Sequence, residues 1–406
     1  MNKITKIILG LIIVVIISSY QVFAQSKIEK QPYLIVISLD GFRWDYPEIY
    51  HLAFFDSIAK MGVKAYSIQP CFPTVTFPNH YSMATGLYPE HHGIVQNKFY
   101  DPLLKLTYKI GDRKTVMDGR FYGGEPIWVT AEKQGVKTAS FYWVGSEALI
   151  KGIQPSYWKV YENKIPYNQR VDTVMQWLQL PEKERPHLIL FYLPEPDAIS
   201  HDFGPLGKET KVMVNALDSL MWDLVNKIKR LAIGNQINLI ITSDHGMAAV
   251  NVEKNIILDN FIHPQWIKGI YGYNPTYNIS AAEHCIDSVY LTLKKLPHLK
   301  VWKTKEVPAR LHYNNNNRIG DLVVLADSSW SISLKKDKPI VGGAHGYDNT
   351  NMEMHGIFYA YGCSFKKNYK RKTFSNVQLY PLMAHILHLK PSVTDGKLNE
   401  IKDVLK

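Results

Sequence analysis

Three short apolar runs constrain this chain more than any other feature: "YLIVISL" over 33–39, "HLILFYL" over 187–193 and "INLIITS" over 237–243. Each is rich in Val, Ile and Leu without polar alternation, the pattern of strands buried on both faces of a parallel sheet. Each also runs, within four residues, into an aspartate: Asp40, Asp197 and Asp244. Helical spacing lies between and after them, in Val214, Leu217, Met221, Leu224, Ile228 and Leu231, and again from Val377 to Leu389 before Pro391. Strands alternating with helices predict an α/β layered fold with a mostly parallel sheet flanked by helices. In such sheets ligands sit outside the carboxyl ends of the strands, where these three acids would converge.

With 406 residues, 46% of them hydrophobic, the chain can bury one large core and carry a smaller appended lobe. The pattern changes over about 250–340. A turn-rich "GIYGYNPTYNIS", a helix expected over Ala281–Leu296, a turn at Asn314–Asn317 and a strand at "DLVVLA" read as an inserted α/β lobe, after which "GGAHGYDN" returns to the main domain. Residues 1–24 read as a secretory signal: Lys3 and Lys6 precede the apolar run Ile7–Ile17, and Val22-Phe23-Ala24 offers a cleavage point. Residues 25–406 are then the exported domain, destined for periplasm, cell surface or medium; membrane contact follows only if the segment stays uncleaved. Without the two leader lysines the formal charge of +11 becomes +9. Its lysines are scattered or gathered in short runs such as "KKNYKRK", with no continuous basic stripe, so no stable nucleic-acid partner is expected. Cys71, Cys285 and Cys363 are too few for a disulfide scaffold or a structural zinc site, and allow one disulfide whose pairing stays open.

The chemistry-bearing residues are far apart: Asp40, Asp197 with His201, Asp244 with His245, and His345. Carboxylate oxygens and imidazole nitrogens together suit zinc, at about 2.0–2.2 Å. Asp197 and His201 stand four apart and share a face on one helical turn, whereas the adjacent Asp244 and His245 can serve one ion only from a tight turn. Taken singly, "SDHG" reads equally well as a capped turn, and a lone histidine as hydrogen-bonded core. It is the combination at three strand ends that points to metal. In "PTVTFPN" the Thr76 hydroxyl falls at a helix amino terminus, where backbone N–H groups favour negative charge. Metal coordination would lower its pKa, making Thr76 ligand and nucleophile at once. The alternatives are that Thr76 only caps the helix, or that Thr74 is the nucleophile. His80, His91, His92 and His355 complete no such set and read as structural or solvent-facing.

These residues, with "LDGFRWDY", "PTVTFPNHYSMATGLYPEHHGIVQN", "YWVGSEALIKGIQPSYWKVY", "YLPEPDAISHDFGP", "TSDHGM" and "GAHGYDN", resemble the nucleotide pyrophosphatase/phosphodiesterase family of the alkaline phosphatase superfamily over essentially the whole mature chain. The resemblance implies an alkaline phosphatase-like fold and two zinc ions. Asp40, Thr76, Asp244 and His245 would hold one; Asp197, His201 and His345 would hold the other. It further implies a covalent nucleotidyl-threonine at Thr76, a phosphate oxygen bound by the Asn97 amide with the Thr76 N–H, and a nucleobase sandwiched by Phe77 and Tyr161. The substrate would be a nucleotide or dinucleotide and the protein a monomer in compact, catalytic-domain form. Val144 stands where the family commonly has proline after tryptophan, and Val75 where some animal relatives have lysine; neither touches a ligand position. The nearest alternative keeps the chemistry but acts on glycerophosphodiesters or phospholipid head groups. A sulfatase and a catalytically lost surface-binding protein fit the filled ligand set less well.

Overall fold

Each of the three apolar runs is a strand. β1 (Tyr33–Leu39) lies between β2 (Leu188–Leu193) and β3 (Ile237–Thr242), parallel to both, with Leu39 level with Leu193 and Ser38 level with Thr242. Side chains of a strand point alternately to opposite faces, and here both faces are covered. Leu34, Val36, Leu188, Leu190 and Ile240 enter one core; Ile35, Ile37, Ile189, Phe191, Leu239 and Ile241 enter the other. That is why the runs show no polar alternation, and why the few polar residues within them, such as Ser38 and Asn238, are themselves buried.

The computed structural model describes residues 31–335 and 340–406, so the leader reading of 1–24 lies outside the described residues. Eight strands form the main sheet, in the order Tyr369–Arg371, Val63–Ala65, Phe358–Tyr361, β3, β1, β2, Thr138–Phe141 and Tyr157–Trp158. Only Phe358–Tyr361 runs against the others. Helix α1 (Thr76–Thr85) packs with Ile127–Lys133 and Leu379–Ile386 into one face, while Ala53–Met61, Tyr167–Leu178 and α3 (Lys208–Lys229) cover the other, with α2 (Asp197–Phe203) capping the carboxyl edge. The expected layered α/β fold is the observed one.

Between 250 and 340 stands a second sheet, ordered Ile267–Tyr273, Thr276–Ala281, Leu322–Ala326 and Leu299–Lys303, antiparallel throughout. Val324 and Ile279 bury against Val289 and Leu293 of its own helix, but Val323 and Leu325 on the opposite face join the main core. Residues 32–406 accordingly form one compact unit. The helix expected over Ala281–Leu296 is shorter, Ile286–Leu293, because strand pairing claims Ala281. The one expected over Val377–Leu389 is α-helical only over Leu379–Ile386. Among the described residues no helix is long and apolar enough to cross a membrane.

Candidate metal centre and its cavity

The carboxyl ends of β3, β1 and β2 deliver their acids side by side. Asp40 N–H donates to Leu193 O and Asp197 N–H to Asp40 O, both at 3.0 Å, so backbone pairing carries the strand register beyond the strands into the site. Gly41 makes the close approach possible. Its φ is +67°, and a Cβ there would lie 2.9 Å from the Asp197 Cα. Gly41 N–H donates to Asp244 Oδ1 (3.2 Å) and Phe42 N–H to Ser243 Oγ (2.9 Å), which clamps the Asp244-His245 turn against the end of β1.

Around this frame two groups assemble. In the first, His245 Nε2 lies 3.4 Å from Asp40 Oδ1, 3.1 Å from Asp244 Oδ2 and 3.2 Å from Thr76 Oγ1. Val75, not Thr76, is the N-cap of α1 and makes no side-chain cap bond, so the Thr76 hydroxyl is left to face the histidine. In the second, Asp197 lies 3.5 Å from His201 Nε2 and 3.4 Å from His345 Nε2. The His245 and His345 rings stack with centroids 3.7 Å apart and join the groups. Thr74 is buried and committed elsewhere: its hydroxyl donates to Tyr347 O and accepts from Gly346 N–H, which fixes the His345 segment.

The donor set fits divalent cations. Each histidine turns Nδ1 to a backbone carbonyl: His245 to Gly246, His201 to Gly343, His345 to Thr74, at 2.8, 3.0 and 3.0 Å. A carbonyl only accepts, so Nδ1 carries the proton and Nε2 points inward as a lone pair. The Nε2 atoms of His201 and His345 then confront each other at 3.2 Å, two acceptors with no hydrogen between them. Asp40 Oδ1, Asp197 Oδ1 and Asp244 Oδ2 are buried with no hydrogen-bond partner. Burial, then neighbouring acids, pushes the Asp40 and Asp244 carboxyls well above the ordinary range. Burial also holds His245 well below its ordinary value and His345 down at about 4, so both imidazoles are neutral at pH 7. Buried acceptors and like charges gathered without compensating donors call for positive ions.

A cavity of about 400 Å³ opens on this cluster, lined by Asp40, Thr76 and Asp197 at one end and by Phe77, Tyr142, Trp143 and Tyr161 along its walls, with Val144 beside them. The Phe77 N–H donates to Asn97 Oδ1 (3.0 Å), which orients that amide and leaves its NH₂ end as the remaining donor. The structure thus brings every residue singled out from the sequence to one place. His91, His92 and His355 bond instead to Asp395, Ser82 and Ser67, as structural residues. His80 does more than fill space: one turn after Thr76 on α1, it sits 3.3 Å from Asp244 Oδ2 and bonds Ser38 Oγ. Tyr192 is a residue that sequence reasoning missed; its hydroxyl donates to Asp40 Oδ2 at 2.6 Å. Only its place beside the strand end could have signalled it. The possible disulfide does not form: Cys71 is buried with its thiol on Asn376, Cys285 is half-buried and Cys363 exposed, all three free.

Fold and cluster together define an α/β protein with a candidate metal centre at the sheet's carboxyl edge. Comparison with known proteins narrows this. Residues 34–348 match the profile of the type I phosphodiesterase/nucleotide pyrophosphatase family, so the chain belongs to that family. Over 392 residues it is 35% identical to human ectonucleotide pyrophosphatase/phosphodiesterase family member 1, covering 92% of this chain and 42% of that protein. The venom phosphodiesterase of Macrovipera lebetinus is likewise 35% identical over 392 residues, 94% of this chain and 46% of the relative. The chain therefore spans about half the length of these curated relatives. Among solved structures, murine ectonucleotide pyrophosphatase/phosphodiesterase 5, in an inactive threonine-to-alanine variant complexed with AMP, superimposes with a TM-score of 0.89 at 33% identity, over 93% of this chain and 100% of that one. The fold is of the alkaline phosphatase type.

Proposed function

We infer that the chain is an exported two-zinc hydrolase that cleaves nucleotide phosphodiester and pyrophosphate bonds and releases nucleoside 5′-monophosphates. One observation carries this reading: the Thr76 hydroxyl, which caps no helix N–H and bonds His245 Nε2, stands where the acid–imidazole cluster meets an aromatic-walled cavity. Asp40, Thr76, Asp244 and His245 would hold one zinc, and Asp197, His201 and His345 the other. When bound, the ions would supply the Lewis acidity that lowers the pKa of the hydroxyl and neutralises phosphoryl charge. Thr76 Oγ1 attacks phosphorus in line; the new O–P bond makes a nucleotidyl-threonine as the bond to the leaving alcohol or phosphate breaks. Water then cleaves the intermediate, freeing the monophosphate and restoring the hydroxyl. The Asn97 amide and the Thr76 N–H at the start of α1 donate to a non-bridging oxygen, a role worth roughly 3–4 kcal/mol in other hydrolases. Phe77 and Tyr161 stack on the base, with broad tolerance because every base has a π-face. The leader-like segment, and relatives named as ecto- or venom enzymes, support export.

Zinc-loaded protein assayed against nucleoside 5′-monophosphate nitrophenyl esters, ATP, glycerophosphodiesters and simple phosphomonoesters tests the reading. Nucleotide diesters and pyrophosphates should be turned over best, and Thr76→Ala should abolish turnover while AMP still binds. Dominant monoesterase activity overturns the reaction class; dominant turnover of glycerophosphodiesters moves the same chemistry to the alternative substrate.

A further inference from the structure

Arg170, in the helix Tyr167–Leu178, is fully buried and has no carboxylate within ion-pair distance among the described residues. An unpaired buried cation is costly, so its surroundings must compensate. They do so through one loop and two rings. Nε donates to Ile165 O (2.9 Å) and Nη2 to Asn163 O (3.1 Å), while the guanidinium carbon lies 5.1 Å from the Tyr142 ring centre and 5.0 Å from that of Tyr167. Nη1 keeps no partner at all. The tethered loop, 159–166, has no regular secondary structure and carries Tyr161, which is 38% exposed at the cavity.

Tyr142 links the buried charge to that exposed ring. Its φ is +71°, an uncommon backbone state for a bulky residue that persists only where surroundings dictate it. Its hydroxyl donates to Glu162 O (3.1 Å), and its ring centre is 5.0 Å from that of Tyr161. Arg170 thus packs on Tyr142 and Tyr142 on Tyr161, the two rings tilted by 58° and both lining the cavity while the guanidinium stays behind them. A wall held in its bound conformation beforehand avoids the ordering cost that a loose loop would charge to each ligand.

We propose that Arg170 is a positioning residue that sets the cavity's preference for substrates bearing a planar ring, by pinning the Tyr161 loop from behind. That the planar ring is a nucleobase rests on the function proposed above. The test compares kcat/KM for a nucleoside 5′-monophosphate p-nitrophenyl ester with that for methyl p-nitrophenyl phosphate, which shares the leaving group and lacks the base. In R170M the ratio should fall about tenfold, carried by KM of the nucleoside ester, since stacking on one aromatic accounts for about that factor. R170K, which keeps the charge but not the planar fork, should fall part-way, and inhibition by AMP relative to inorganic phosphate should weaken in the same order. A ratio within twofold of wild type in R170M, whether both rates hold or both drop together, overturns the proposal. Where R170M does not accumulate as folded protein, R170K and Y142F decide by the same ratio. Absence of any preference for the nucleoside ester in the wild type is a separate result: it removes the nucleotide reading, and this inference with it.

Discussion

Asp40 illustrates how a candidate ligand is aimed as well as supplied. One oxygen, Oδ1, faces His245 Nε2; the other accepts from the Tyr192 hydroxyl, and both side chains are buried. Removing the hydroxyl leaves the fold's apolar contacts intact and frees the carboxylate to turn. Tyr192→Phe is therefore expected to weaken zinc binding by about 10- to 100-fold, the usual effect of losing an outer partner of a metal ligand. Competition against a chromogenic chelator reads this directly; affinity within twofold of wild type would show that Asp40 is held by the backbone alone. The acids of the candidate cluster were legible in the sequence because each follows a buried apolar run, and His201, His245 and His345 because they stand beside an acid or in a glycine-flanked turn. Tyr192 and His80 were not, because what they do is defined by a neighbour far away in sequence: Asp40 for the first, Asp244 for the second.

At the scale of elements, helix α1 shows why the site can be rigid and its surroundings sensitive to acid. The carboxyl end of α1 is fastened by His92, whose Nε2 bonds Ser82 Oγ at 2.9 Å while Nδ1 accepts from Ile94 N–H at 3.1 Å. Burial pushes the His92 imidazole down to about 3. Above its ordinary value of about 6.5 neither folded nor unfolded protein holds the extra proton, and the group is neutral to stability. As pH falls from there towards 3 the unfolded chain takes the proton first, so stability drops by up to about 1.4 kcal/mol per pH unit. His92→Gln should flatten denaturant midpoints measured between pH 7 and 4 by about one proton, at a lower starting stability; an unchanged slope refutes the assignment. Elements themselves were read well where burial sets the pattern, as in β1, β2, β3 and α3. They were misjudged at Ala281, where pairing with Ile267 overrides a helical-looking sequence, and the interleaving of the second sheet with the main core left no periodic trace.

For the molecule as a whole, the candidate centre is also a structural joint. Three strand ends, the starts of α1 and α2 and the segment carrying His345 meet there, and they contribute carboxylates with unpartnered buried oxygens, imidazole lone pairs and, from α1, the Thr76 hydroxyl. Without cations these groups repel one another; with them the same groups become a cross-link among elements far apart in the chain. A ligand that binds only the folded state stabilises it by mass action, about 2.7 kcal/mol per site at a hundredfold excess over Kd. Stripping the protein with a chelator should therefore lower its melting temperature, and zinc should restore it in a concentration-dependent way. Magnesium should not, because three imidazole nitrogens suit zinc and a hard oxygen-seeking ion does not match them. Asp197→Asn, which weakens one group and leaves the other, should retain part of the zinc-dependent rise. A melting temperature indifferent to chelator and zinc would mean that the clustered acids and histidines are satisfied without metal, and that the hydroxyl of Thr76 must draw its reactivity from some other source.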